Sequence, residues 1–225
     1  HVVTKRISRA CRASAARGAQ RVILMTFHGS PRHNLAIERG VHELRRLGVR
    51  AVAPFNLLLR MLLGFEARLL DEVYGTISDP ELRASMQSRA ITDVHAGFLE
   101  TSLTMHYAPE TVGDLRNTPP CPDSGADWRF LEAANLAKLG GREELAAELR
   151  YLAMILGWLE LRPFPGYTGH PSEANAEAGR ILADLLSTHF AAAVSATLEE
   201  GEPSPPPICS WMSPLSKISA GFLRA

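Results

Sequence analysis

Val3, Ile7, Ala10, Cys11, Ser14 and Ala15 recur at helical spacing, with Lys5, Arg6, Arg9, Arg12 and Arg17 largely on the opposite face. Residues 2–17 therefore read as an amphipathic helix, which Gly18 ends. The apolar, β-branched run from Arg21 to Phe27 has the character of a strand buried on both faces of a parallel sheet. A polar loop, His28-Gly-Ser-Pro-Arg-His-Asn34, follows at once. Leu35, Ile37, Val41, Leu44 and Leu47 then mark a helix that closes near Gly48, and 49–53 offers the next strand. Helix, strand, loop, helix, strand is the grammar of a parallel α/β sheet. In such sheets, polar residues at the carboxyl end of a strand lie where ligands bind, and 28–34 hold that position.

Residues 55–89 are helical in pattern and unusually apolar at first, with breaks at Gly64, Gly75 and Pro80. They read either as an insertion packing on a neighbour or as a buried core helix. A segment from Thr92 to Ser102 leads into a Pro- and Asp-rich loop around 119–123. Helical periodicity resumes over 128–158, with Gly140 and Gly141 as a hinge between two helices. Glu160–Arg162 is a possible strand, 163–171 a turn-rich connection, and Ser172 the expected N-cap of a helix running to about Glu200. Beyond 200, four prolines exclude helix and sheet interior, and Ile208, Trp211, Met212, Leu215 and Phe222 suggest a flexible end or a docked segment.

Composition narrows the classes. The 225 residues are 46% apolar and 21% charged, enough for one substantial core. Lys+Arg and Asp+Glu are equal at 24 each, so no net field draws the chain to nucleic acid or an anionic membrane. No uninterrupted apolar run of bilayer-spanning length and no leader pattern is legible, so a soluble protein is expected. Cys11, Cys121 and Cys209 are widely spaced without a CxxC pair, which suits a reducing cytoplasm better than a disulfide framework. Neither a phosphate loop nor GxGxxG occurs, which disfavours a nucleotide enzyme.

Three segments, in order, carry a resemblance. Leu24-Met-Thr-Phe-His-Gly-Ser-Pro-Arg-His-Asn34, His95-Ala-Gly-Phe-Leu-Glu-Thr-Ser102 and Gly166-Tyr-Thr-Gly-His-Pro-Ser-Glu-Ala-Asn-Ala-Glu-Ala-Gly-Arg180 are similar to the signature stretches of the creatininase (creatinine amidohydrolase) family. Over residues 1 to about 200, the resemblance implies a three-layer α/β/α domain with a mainly parallel sheet and helical insertions, followed by a Pro-rich tail over 201–225. It also implies hydrolysis of a non-peptide C–N bond in a small-molecule amide at a site of two Zn or Mn ions. The partners expected are that substrate and further copies of the chain, up to a hexamer. Nucleic acid and membrane are not expected.

Transferred position by position, the resemblance makes His28 and Glu100 metal ligands and His95 the catalytic proton-transfer histidine. Asn34, Arg32 and His33 fall at the substrate, and His33 is the alternative to His28 on the metal. Departures are evident. Phe98 stands where relatives carry an acid, and Gly169-His170-Pro171 replaces Gly-Asp-Pro. The family's Glu-x-His-Gly segment, which supplies further metal ligands, has no counterpart in 1–225. The expectation is that a native upstream stretch supplies it and completes the enzyme. The competing expectation is a non-catalytic oligomeric scaffold or ligand-binding relative that has lost its metals. Apart from what the resemblance implies, His33, His42, His106, His170 and His189 read as mostly structural.

Overall fold

The computed structural model describes residues 2–123 and 125–213. The expected role of Leu215 and Phe222 lies outside that range. Among the described residues the chain is α/β, with nine α-helices and one two-stranded parallel sheet, divided into two compact units. One lies within His1–Leu59 and Thr188–Ala225, and the other is Arg60–Ser187.

The first unit is the helix–strand–helix–strand array that the periodicity predicts. Helix α1 (Val2–Ala16), strand β1 (Arg21–Ile23), helix α2 (Pro31–Arg46) and strand β2 (Arg50–Val52) follow in order. β1 and β2 pair in parallel with Arg21 opposite Arg50 and Ile23 opposite Val52. Cys11, Ile37, Val41, Leu44, Val49, Ala51 and Ala53 form the core, and Ile7, Ala15, Val22 and Leu24 pack against it. The first strand corrects its reading as buried on both faces: Ile23, Met25 and Phe27 are exposed. An uninterrupted apolar run conceals an alternation, because successive strand side chains point to opposite faces and only Val22 and Leu24 meet the helices. The C-terminal segment docks in this unit. The Ala53 amide donates to Ser204 Oγ (3.1 Å), the Asn56 side-chain amide donates to the Pro205 carbonyl (3.1 Å), and Ile208 and Cys209 are buried.

The stretch expected either as an insertion or as a buried core helix, with breaks at Gly64, Gly75 and Pro80, consists of α3 (Asn56–Leu62), a 3-10 turn, α4 (Asp71–Gly75) and α5 (Pro80–Ser88). Its apolar side chains Leu58, Leu59, Met61, Leu62 and Leu63 are buried within the chain. In the second unit follow α6 (Phe98–Tyr107), then α7 (Trp128–Leu139) and α8 (Glu143–Glu160), which form the expected hairpin across Gly140 and Gly141. Residues 160–162 form no strand, since α8 runs to Glu160. The last long helix, α9 (Ala176–Ser195), is capped by Asn175 rather than Ser172: Asn175 Oδ1 accepts from the Ala178 amide at 2.8 Å, and Pro171–Glu173 form a separate 3-10 turn. With the π-turn after it, α9 spans 25 residues and contains a window of mean hydropathy 1.4, so by length and composition it could cross a membrane. Ala178, Leu182, Ala183 and Leu186 on it are buried within the chain, and 33% of that window is buried in all.

Candidate active site

The first histidine loop is short and lightly held. Pro31 sits at the first helical position of α2, where its missing N–H costs nothing, so the helix begins earlier than expected and absorbs Arg32, His33 and Asn34 into its first turn. His28 is exposed in the loop, and its ring stands edge-on to that of His33 with centroids 4.8 Å apart. Asn34 is buried, and its side-chain amide donates to the carbonyls of Gly29 (3.3 Å) and Ser30 (3.2 Å). Both donors are spent on loop backbone, which makes Asn34 the residue that shapes the turn. Arg32 is exposed.

The second histidine segment, in the other unit, is held from several sides. Ala96 adopts φ 47°, in the left-handed region, and its amide donates to Glu100 Oε2 at 2.7 Å. The same carboxylate oxygen lies 3.9 Å from His95 Nδ1. Both side chains are about half exposed, so this is an accessible imidazole–carboxylate pair on a fixed turn. Thr168 clamps the backbone beneath it. Its hydroxyl accepts from the amides of Val94 (3.0 Å) and His95 (2.9 Å) and donates to the His95 carbonyl (3.1 Å), to which its own amide also donates (2.8 Å). The indole of Trp158 lies 5.5 Å from the His95 ring and is itself fixed by donating to the Tyr167 carbonyl at 2.8 Å.

Behind the turn sits Asp93, fully buried. Its Oδ2 accepts from the Leu99 amide at 3.0 Å in the first turn of α6, while Oδ1 has no hydrogen-bond partner among the described residues. Burial pushes its pKa up to about 7. The Leu99 amide counters part of that rise and the Glu100 charge adds to it. The phenol of Tyr74, also buried and unpartnered among the described residues, is raised by burial and then by the Asp93 carboxylate. Gly97 is obligatory here, since a Cβ on it would fall 2.0 Å from Asp93 Oδ1 and 2.6 Å from the Thr168 carbonyl.

The third segment braces this site. A Cβ at Gly179 would fall 1.9 Å from the Ser102 carbonyl, so α9 meets α6 backbone to backbone at that glycine. Ser102, fully buried, accepts the Asn175 amide at 3.1 Å. Ser102, Asn175 and Gly179 of the two motifs therefore join the helix bearing Glu100 to the last helix. Sequence reasoning named His95 and Glu100 and passed over Thr168 and Asp93, although both lie inside or beside the quoted segments.

His28, His33 and Asn34 share the first unit, and His95 and Glu100 share the second. Among the described residues no three His, Cys, Asp or Glu side chains cluster as a group able to hold a metal ion. A closed divalent site needs three or four such donors, so the described donors do not by themselves fit the metal pair that the resemblance implies.

The class comes from comparison with a family model, which supports an amidohydrolase-type α/β protein. Residues 1–194 match the model described as Creatininase: Creatinine amidohydrolase, and the chain belongs to that family. No curated protein and no solved structure gives a match.

Proposed function

We propose that the protein hydrolyses a non-peptide C–N bond of a small-molecule amide. The observation that carries this reading is the half-exposed His95–Glu100 pair, held on a fixed turn by Thr168, within the motif most similar to the family's. His95 on a pinned backbone is suited to carry a proton to a leaving nitrogen, because an imidazole ring nitrogen can both accept and donate a proton. Glu100 lies on the Nδ1 side of the ring and can favour the tautomer or the charge that transfer requires. In the same reading the domain is a three-layer α/β/α sandwich in a homo-oligomer, both supported by family membership. The cytoplasm is supported by three cysteines that form no disulfide with one another.

Two divalent ions, Zn or Mn, are what the family relationship supplies as activators of water. His28, in the first unit, and Glu100, in the second, are the residues that the resemblance would give as donors, and the described donors form no group able to hold such an ion. Arg32 and His33, on the first turn of α2, are proposed to meet the substrate, with Asn34 shaping the turn that presents them.

The test offers purified protein creatinine, small formamides and other non-peptide amides with added Mn²⁺ or Zn²⁺, following new amine or carboxylate. Turnover abolished by a chelator and restored by either ion supports the reading. A protein inert across the panel with both ions contradicts it.

A further inference from the structure

The second unit contains a cavity of about 540 Å³ that the hydrolytic reading does not use. That volume is in the range of small-molecule sites. Its walls are apolar where Met86, Leu131, Met154 and Trp158 contribute, and polar where Arg150, Arg89 and His170 do. Arg89 is paired with Asp123, which also lines the cavity. Arg150, partly buried in α8, lines the cavity and makes no hydrogen bond or ion pair with any described residue. A carboxylate entering beside that guanidinium can accept two parallel hydrogen bonds from it.

We infer that this cavity binds a small carboxylate-bearing molecule with an apolar body, Arg150 gripping the carboxylate and Trp158, Met154 and Met86 enclosing the rest. Trp158 and Thr168 belong both to this cavity and to the surroundings of His95, so occupancy is felt at the candidate active site. The inference goes beyond the hydrolase reading and does not need catalysis to be true.

The chain has three tryptophans, and replacing Trp128 and Trp211 by Phe leaves Trp158 as the reporter. That protein is titrated with 3-phenylpropionate and with its neutral isostere 3-phenylpropionamide. The acid is expected to change the Trp158 fluorescence saturably and to bind at least roughly tenfold more tightly than the amide. Arg150→Gln is expected to erase the preference and Arg150→Lys to keep part of it, with thermal melting confirming that both variants fold. Equal binding of acid and amide, a preference that survives Arg150→Gln, or no saturable change overturns the inference. Inhibition of amide hydrolysis that excess substrate relieves would mark the carboxylate as part of the substrate; inhibition that substrate does not relieve would mark a separate acid. A protein inert as a hydrolase that still binds the acid through Arg150 would fail the hydrolytic reading and keep this one.

Discussion

The two histidine segments are built on different physical terms. His28 stands exposed on a loop shaped by near neighbours in sequence, its own amide donating to Thr26 Oγ1 and the buried Asn34 side chain donating to the Gly29 and Ser30 carbonyls. His95 stands on a turn fixed by the Thr168 clamp, the Glu100 carboxylate and Asp93, and it is braced through Ser102 against α9. The second segment is ordered by its own surroundings, as preorganised chemistry requires. The first is shaped by contacts between residues close in sequence, among them the edge-on pair of His28 and His33.

The contrast is most severely tested at Gly97. Gly97→Ala places a methyl group against Asp93 and the Thr168 carbonyl, and it should cost about 3 kcal/mol or more of stability, read as a large drop in the denaturation midpoint. A near-neutral result would mean that the turn is not held as described.

Asp93 comes next. Its pKa is raised in the folded state from an ordinary 3.8 to about 7, so between those values the folded protein binds more protons than the unfolded chain. Stability is therefore greatest below pH 4, falls as pH rises toward 7, and is level in this respect above it. The full swing from this group is on the order of 2–4 kcal/mol. Asp93→Asn keeps an acceptor for the Leu99 amide and should flatten that slope in urea titrations at pH 4.5 and 7.5. An unchanged slope would place the titration elsewhere.

Thr168→Val removes a hydroxyl that makes three hydrogen bonds to the His95 turn, and it should cost ~2 kcal/mol by thermal or urea unfolding. Asn34→Ala should cost less, ~1 kcal/mol, because only two long hydrogen bonds in the first loop are lost. If Asn34→Ala proved the more damaging of the two, the contrast between the segments would be reversed.

Much of this was legible in the sequence, for reasons that also explain the gaps. The α1–β1–α2–β2 order follows from two periodicities, and the hinge at Gly140 and Gly141 from residues that end helices. His95 and Glu100 were visible because both lie within one short motif, His95 to Ser102, that is similar to the family's. Thr168 was not, since its partners lie 73 residues away. The exposure of Ile23, Met25 and Phe27 was hidden because an apolar run carries no mark of which strand face lacks a cover. The true cap of α9 was displaced to Asn175 by the 3-10 turn at Pro171, which propensity at Ser172 does not reveal.

The central claim is that the clamped His95 transfers the proton in amide hydrolysis. The direct measurement is kcat of His95→Gln against the wild-type chain, on the amide turned over fastest, with both melting curves recorded. The account predicts a loss of ~10²–10⁴-fold in kcat with little change in melting. An unaltered kcat in a folded His95→Gln protein would contradict it.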